Sequence, residues 1–429
     1  MKICVIGAGH VGLVTSACFA QLGHSVINVD NDKIRIRNLM KGSMPFFEPG
    51  LERLVKENRK NGRLGFSASV VDGVKKCGLI FICVGTPPRE DGEADLSSVE
   101  KVVRKIARSL SGYKTIVEKS TVPVNTWKWI KHTVGLYSGQ GADFDVAVNP
   151  EFLREGSAVR DFLKPDRIVI GVENERARKI ILEAYRKIKC PKIITNLPTA
   201  EMIKHASNSF LATKISYINS VANLCEKVGA DVQSVAQGMG YDPRIGKAFL
   251  SAGEGYGGFC FPKDLAAFIY IAEKNGYDFA ILKAVQKVNE EQKRAVARKV
   301  KEALWVLKDK VIGVLGLSFK PDTDDMRLAP SIDIIKALQS DGARIKAFDP
   351  AAMANAKKLL RGVRFCKNAY SAAEGCDCVL VLTEWDEFRD LDLGKLKRLM
   401  KIPVIIDGRN IFKPEQMKKL GFVYKGIGR

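Results

Sequence analysis

The segment Gly255-Tyr256-Gly257-Gly258-Phe259-Cys260-Phe261-Pro262-Lys263-Asp264 carries the sharpest chemical signal in the chain. Its glycines let the backbone approach another surface closely, and Pro262 suits the first turn of a helix, where a missing N–H costs nothing. The spacing predicts that Cys260 stands just before that helix. The positive end of the helix dipole and the Lys263 ammonium then both favour its thiolate. Asp264 follows four residues on, within reach of the same site. Most cysteines are buried structural thiols, but this setting suits a nucleophile.

A second chemical signal opens the chain. Gly7-Ala8-Gly9-His10-Val11-Gly12 follows an apolar, strand-like run and leads into a helical pattern. Gly7, Gly9 and Gly12 permit a tight turn and close approach of backbone to a pyrophosphate seated on a helix N-terminus. Asp30 ends the next strand-like run, where a carboxylate accepts hydrogen bonds from a ribose diol and repels a 2′-phosphate. NAD is therefore favoured over NADP. Arg35 and Arg37 stand nearby as the kind of residue that would bind such a phosphate. Val84-Gly85-Thr86-Pro87 and Ser120-Thr121-Val122-Pro123 each end a further strand-like run, and strand carboxyl ends are where open α/β sheets bind ligands. A nucleophilic cysteine beside NAD has a specific use. Taking an alcohol to an aldehyde needs no covalent step, whereas taking the aldehyde on to an acid needs an adduct from which a second hydride leaves. A thiolate supplies it as a thiohemiacetal, giving a thioester that water hydrolyses, with two NAD⁺ consumed.

The elements that position these residues follow a repeated rhythm. Strands are expected at Lys2–Ile6, Ser25–Val29, Leu79–Val84, Thr115–Lys119 and Asp145–Val148, alternating with helical stretches, which predicts a parallel sheet covered on both faces. From Thr199, a plausible N-cap, to a stop at Gly229 runs one long helical pattern with Ile203, Phe210, Ile218, Val221, Leu224 and Val228 at helical intervals. A second long helix spans Phe279 to Val306. After Lys310 the first rhythm returns: Val311–Leu317, Arg344–Asp349, Cys378–Thr383 and Val404–Gly408 echo Ile3–Gly9, Ser25–Asp30, Phe81–Thr86 and Ile116–Ser120. Where the first copy has GAGHVG the second has GLSFKP, so it should hold a different ligand. The expected fold is α/β, with two Rossmann-like parallel-sheet domains joined by a central long-helix domain. The expected boundaries are 1–198 for the NAD-binding domain, 199–306 for the helical dimerisation domain with the cysteine loop, and 307–429 for the domain holding the second nucleotide.

Composition excludes several classes. At 429 residues the chain exceeds one ordinary core, and its 46% hydrophobic and 27% charged balance is that of a globular protein. No apolar run approaches the ~18 residues of a membrane span, and Met1-Lys2 leads straight into a strand, so a cytoplasmic location is expected. Four histidines and a lone Cys376-x-Cys378 pair argue against a metal site. Cys4, Cys18, Cys83 and Cys225 sit in apolar runs and read as core. The net charge of +21 raises nucleic acid as a partner, but the basic clusters at Lys56–Arg63, Lys293–Lys301 and Lys395–Lys401 read as solvated helix faces. Such a surface also steers anionic small molecules to a cleft.

Taken together, GAGHVG, VGTP, STVP, NPEFLREG (149–156), Lys204 with Asn208, GYGGFCFPKD and GLSFKPDTDDMR (316–327) resemble the UDP-glucose/GDP-mannose dehydrogenase family over almost the full chain. NPEFLREG, RIG (244–246) and GYGG are most similar to its UDP-glucose branch. The resemblance implies NAD-dependent, four-electron oxidation of UDP-glucose to UDP-glucuronate by a dimer that joins through the central helix. It implies Cys260 as nucleophile, Lys204 and Asn208 as donors to the developing oxyanion, and Thr121, Glu155 and Asp264 as the residues that position or deprotonate water. It further implies that Glu151, Phe152, Leu153, Arg154 and Glu155 contact the sugar, that Phe249, Leu250, Ser251, Ala252, Gly253 and Gly257 wrap the nucleotide sugar, and that Lys320 binds it. Arg244 would reach a neighbouring subunit's substrate. The cofactor would be held by Gly7, Gly9, Val11, Gly12, Asp30, Arg35, Thr86, Thr121, Glu155, Lys263 and Arg327. Phe259 departs from the serine that many relatives carry, so a hydroxyl there is not essential. GDP-mannose or a UDP-N-acetyl-hexosamine is the alternative substrate. A two-electron hydroxyacid dehydrogenase and a nucleic-acid-binding protein with a vestigial cofactor fold are the rival classes.

Overall fold

The computed structural model describes residues 1–429. The chain divides into two compact units, residues 1–207 with 266–277 and residues 208–265 with 278–429. The first contains β1 (Lys2–Ile6), β2 (Ser25–Val29), β3 (Leu64–Ser67), β4 (Leu79–Ile82), β5 (Lys114–Glu118), β6 (Phe144–Val148), β7 (Ile168–Gly171) and β8 (Lys192–Thr195). They form one sheet in the order β3-β2-β1-β4-β5-β6-β7-β8. The strands expected from the pattern are there to within a residue or two, but β3, β7 and β8 were not expected. The sheet is not wholly parallel either: β7 meets β6 antiparallel, at Val148 opposite Gly171. The missed strands are short, and β8 leaves Ile193 and Ile194 exposed, so neither length nor alternation marked them.

Period-two alternation divides the apolar side chains between two faces. Ile3, Val5, Leu79 and Phe81 join one core with Phe19, Phe162 and Tyr185, whereas Cys4, Ile6, Ile80 and Ile82 join the other with Val103, Ile116 and Val146. Both faces of the sheet are therefore covered, and the strands read as continuous apolar runs for that reason.

The second unit holds β9 (Val311–Leu315), β10 (Arg344–Phe348), β11 (Val363–Phe365), β12 (Cys378–Val381), β13 (Val404–Asp407) and β14 (Val423–Lys425), all parallel, in the order β11-β10-β9-β12-β13-β14. This repeats the first six strands of the other sheet, the 3-2-1-4-5-6 order of a doubly wound dinucleotide fold. Ile218, Ala222 and Cys225 of the long helix Leu197–Val228, and Val296 and Val300 of the second long helix Ala280–Leu304, pack in one core with Ile312, Val314 and Leu380.

The helix ends bring two corrections. Asn196 Oδ1 accepts the Thr199 N–H at 2.9 Å, so Asn196 caps the long helix and Thr199 lies inside it. At the other end Gly229 takes φ +74°, the left-handed stop expected there. The cysteine helix runs Cys260–Lys274, so Cys260 is its first residue instead of preceding it, and Pro262 falls in its first turn.

Candidate active site

The dinucleotide loop is shaped by contacts that only glycine tolerates. Gly7 takes φ +113°, and a Cβ there would lie 2.2 Å from the Cys83 carbonyl oxygen; one on Gly12 would lie 2.1 Å from that of Gly7. A Cβ on Gly9 would meet nothing within 4 Å, so the position faces open space. Gly9 also begins the helix His10–Gln21 with no side-chain cap, leaving first-turn N–H groups for an anion. Asp30, buried at the end of β2, accepts the Ala8 N–H at 2.7 Å and the Asp32 N–H at 2.9 Å, and Arg35 Nη1 donates to it at 3.1 Å. Arg35 is thus paired with the ribose-position carboxylate. Val11 is half-buried against the first core. Thr86 Oγ1 donates to the Thr121 carbonyl at 2.7 Å and Ser120 Oγ to that of Val84 at 2.8 Å, which ties the VGTP and STVP loops together. The open space at Gly9, the uncapped helix and the strand-end carboxylate together fit a dinucleotide.

The NPEFLREG loop leaves β6. Glu151 Oε1 accepts Lys204 Nζ at 2.9 Å, both groups buried, and Glu151 Oε2 accepts the Leu153 N–H at 2.6 Å. Phe152 lies under two cations, Lys204 Nζ at 5.4 Å and the Arg167 guanidinium at 3.6 Å from its ring centre. Leu153 packs on the first core, Glu155 is half-buried, and Arg154 turns outward onto Asp161 at 2.6 Å. Beneath the loop Lys119 Nζ donates to Asn149 Oδ1 at 3.1 Å, and the Tyr185 hydroxyl donates to the same oxygen at 2.6 Å. Burial pushes the Lys119 ammonium down to about 8. His205, next to Lys204, reaches the Val122 carbonyl at 2.7 Å and so fastens the STVP loop to the long helix. Sequence reasoning missed Lys119, Asn149 and His205 as supports.

In the second unit Cys260 is half-buried at the head of its helix. One turn on, the buried Asp264 carboxylate takes Asn208 Nδ2 on one oxygen and Lys263 Nζ on the other, each at 2.6 Å. The Phe259 ring carries Lys263 Nζ at 5.6 Å and the Arg327 guanidinium at 4.6 Å, so the side chain that departs from serine is a platform for both cations expected at the cofactor. Arg327 Nη2 also grips Asp325 at 2.7 Å. Lys320 Nζ lies 5.6 Å from the Phe319 ring centre.

The glycine-rich loop approaches protein closely. Gly258, at φ +76°, abuts the Phe319 ring, and a Cβ on Gly257 would lie 2.5 Å from the Leu328 carbonyl oxygen. Buried amides of the two long helices hold the loop: Asn219 accepts the Gly253 N–H at 2.9 Å, Gln292 donates to the Gly253 carbonyl at 2.9 Å, and Asn289 bonds Tyr256 at both backbone groups. Leu250 and Ala252 are buried, Phe249 is half-buried at φ +63°, and Ser251 is exposed. Arg244 is exposed and folds onto Asp242 at 2.6 Å.

The strand ends of the second sheet repeat the first with changes. Gly316 (φ +93°) backs onto Thr383 as Gly7 backs onto Cys83. Asp349 occupies the position of Asp30 but is fully buried and engaged by the N–H groups of Leu317, Ser318, Ala351 and Ala352. At the same edge Arg409, absent from the sequence-based set, pairs with Glu254 at 2.8 Å and Glu384 at 3.1 Å and donates to the Phe319 carbonyl at 2.9 Å. Its place in DGR, which begins at the last residue of β13, was the available signal.

Comparison with known proteins agrees with this layout. Models of the UDP-glucose/GDP-mannose dehydrogenase family match its NAD binding domain at residues 1–189, its central domain at 198–291 and its UDP binding domain at 313–414. The chain is 48% identical to UDP-glucose 6-dehydrogenase TuaD of Bacillus subtilis (strain 168), covering 100% of this chain and 93% of that protein. It is also 48% identical to UDP-glucose 6-dehydrogenase of Rhizobium meliloti (strain 1021), covering 100% of both. Among solved structures, a UDP-glucose dehydrogenase from the hyperthermophilic archaeon Pyrobaculum islandicum superimposes with a TM-score of 0.94 at 38% identity, over 100% of this chain and 97% of that one. With two matched sheets, a dinucleotide loop on the first and the cysteine loop held against the second, the chain belongs to the UDP-glucose/GDP-mannose dehydrogenase family.

Proposed function

We propose that this chain oxidises the C6 primary alcohol of UDP-glucose to the carboxylate of UDP-glucuronate, passing through a thiohemiacetal and a thioester on Cys260. NAD⁺ supplies the acceptor for each of the two hydrides. The Cys260 thiolate adds to the C6 aldehyde, the adduct loses the second hydride, and water cleaves the thioester to release the thiol and the acid. The Lys204 ammonium and the Asn208 amide are assigned to the C6 oxygen as it becomes negative. Both are buried and held by carboxylates, Lys204 by Glu151 and Asn208 by Asp264, so their orientation is set before charge develops. Asp264, with Thr121 and Glu155, is assigned to the water of hydrolysis. The NPEFLREG residues, the loop from Phe249 to Gly257 and Lys320 are assigned to the nucleotide sugar, with Arg244 reaching a partner's site. Lys263 and Arg327 join the glycine loop in holding the cofactor.

The observation that carries this reading is the hydrogen-bonded run Asn208–Asp264–Lys263 one turn from Cys260, in a chain whose relatives are named UDP-glucose 6-dehydrogenases. No helix is long and apolar enough to cross a membrane, and a cytoplasmic location is part of the proposal. So is a homodimer. Phe210, Tyr217, Leu224 and Val228 recur along one side of the long helix and stand exposed, an apolar seam that a second copy would cover. The test follows absorbance at 340 nm with a panel of UDP- and GDP-sugars and quantifies product. Two NADH per UDP-glucuronate are expected, with no acid from Cys260→Ala. One NADH per turnover, or full acid formation by that variant, refutes the thioester route, and preference for GDP-mannose or a UDP-N-acetyl-hexosamine refutes the substrate.

A further inference from the structure

The segment Phe46-Phe47-Glu48-Pro49-Gly50 enters none of the chemistry above, yet its carboxylate is fully engaged. Glu48 Oε2 lies 2.8 Å from His10 Nε2 and accepts the Gly156 N–H at 2.8 Å, while Oε1 accepts the Ala158 N–H at 2.8 Å. The side chain is wholly buried, and the His10 ring rests on Phe46 with centres 4.9 Å apart. His10 is the first residue of the helix that receives the dinucleotide phosphates. Gly156 directly follows Glu155, and Ala158 opens the helix Ala158–Leu163, whose own N-cap residue, Ser157, makes no capping bond. One carboxylate therefore caps the end of the NPEFLREG loop and grips the start of the dinucleotide helix.

We infer that Glu48 is a positioning residue that holds the dinucleotide loop and the sugar loop in a fixed register by bonding His10, Gly156 and Ala158 at once. The inference rests on the assignment of those loops to cofactor and sugar made above. Three donors converge on two oxygens, a demand that only an acceptor-only group meets. In Glu48→Gln one oxygen becomes an NH₂ group. Placed at Oε2 it opposes the Gly156 N–H; placed at Oε1 it opposes the Ala158 N–H. Either way a backbone donor loses its partner and the loop that carries Glu155 shifts away from the helix that carries His10. His10→Ala cuts one strand of the clasp and leaves the two backbone bonds, which separates its two ends.

The experiment measures KM for NAD⁺ and for UDP-glucose, and NADH binding by fluorescence, in the wild-type protein, Glu48→Gln and His10→Ala, with thermal melts alongside. Glu48→Gln is expected to raise both KM values about tenfold, the equivalent of about 1.4 kcal/mol each. His10→Ala is expected to raise KM for NAD⁺ and the NADH dissociation constant several-fold while KM for UDP-glucose stays within twofold. A Glu48→Gln variant that melts lower but keeps both KM values overturns the inference, because a merely structural cap has that signature. If Glu48→Gln does not fold, an unchanged NAD⁺ KM in His10→Ala overturns it. A wild-type protein that makes no NADH from UDP-glucose refutes the functional reading instead, and NADH binding to His10→Ala then decides the cofactor end of the clasp.

Discussion

Under the STVP loop two carboxyl groups meet with no cation between them. Glu118 ends β5 and Glu201 lies on the long helix one turn before Lys204, both buried. Glu201 accepts the Asn125 N–H at 2.6 Å and the Trp127 N–H at 3.1 Å, capping the helix Thr126–Tyr137, whereas Glu118 meets no donor and faces the Glu201 carboxyl group. Two carboxylates cannot share such a site ionised, so the pair holds a proton. The N–H donors favour charge on Glu201, which leaves the proton on Glu118. Burial, and for Glu118 the negative charge of Glu201, raise both groups above their ordinary value of 4.5, Glu201 to about 7 and Glu118 further. A carboxyl group whose folded value is raised contributes stability that is fully present below the unfolded value and is lost as pH rises through the folded one. From about pH 4.5 upward the folded pair binds at least one proton that the unfolded chain has released, so stability falls by about 1.4 kcal/mol per pH unit per proton. Glu118→Gln replaces the carboxyl O–H with an amide N–H donor to Glu201 and removes the titration. Urea unfolding followed by tryptophan fluorescence, with Trp127 and Trp129 on the capped helix, should be run between pH 5 and 7.5, below the range where Lys119 releases its own proton. The stability difference, variant minus wild type, should grow by about 1.4 kcal/mol per unit over that range. Curves that stay parallel refute the shared proton.

Two further perturbations address the site and its assembly. Asp264→Asn leaves Lys263 buried without its counter-charge and turns one donor against another. Breaking a buried pair in this way costs roughly 3–5 kcal/mol of stability, so the melting temperature should drop, and loss of the carboxylate proposed to act on the water of hydrolysis should lower kcat at least about a hundredfold. A variant that keeps half its NADH production removes Asp264 from the chemistry. Phe210→Glu with Leu224→Glu places charges on the exposed seam of the long helix and should halve the particle mass by light scattering; an unchanged mass shows that the seam is not where copies join.

How far the sequence could be read depended on how local each signal was. The dinucleotide loop and the cysteine loop announce themselves because turn, glycine, helix start and reactive group fall within a few residues of each other. The long helix was visible as an element, but Ile218 and Phe210 were read as one stripe. In the structure Ile218 lies in a core and Phe210 stands exposed on another face, and an all-apolar count cannot separate two stripes on one helix. Glu48 reads as part of an ordinary Pro-Gly turn, since its partners lie 38, 108 and 110 residues away. Lys119 reads as the end of a strand and Arg409 as a loop cation. Their meaning comes from burial against Asn149 and against Glu254, which no pattern within a window contains.

The two sheets share a frame and differ at one acid. Strand order, the left-handed first glycine and the acid at the end of the second strand are common to both. The difference lies in how each acid is used. Asp30 binds two backbone N–H groups and one half-exposed arginine, and an arginine side chain can yield its place to a ribose diol. Asp349 is enclosed by four backbone N–H groups, the Ser318 hydroxyl at 3.1 Å and the Trp385 indole N–H at 3.3 Å. Displacing any of these would strand a buried donor, at a cost of about 1–3 kcal/mol each, which the hydroxyl of an incoming ribose would have to overcome. Where Gly9 of the first copy faces open space, Ser318 of the second spends both its N–H and its hydroxyl on Asp349. The two sheets therefore differ in the saturation of this acid and not in their strand order. At the strand ends of this second sheet Arg409, after β13, is held by Glu254 and Glu384, and Lys320, after β9, has its ammonium 5.6 Å from the Phe319 ring centre. Most of the first sheet lies in the segment matched by the family's NAD binding domain and most of the second in that matched by its UDP binding domain. One fold is thus used twice in the same chain, with its strand-end acid open to exchange in the first copy and saturated in the second.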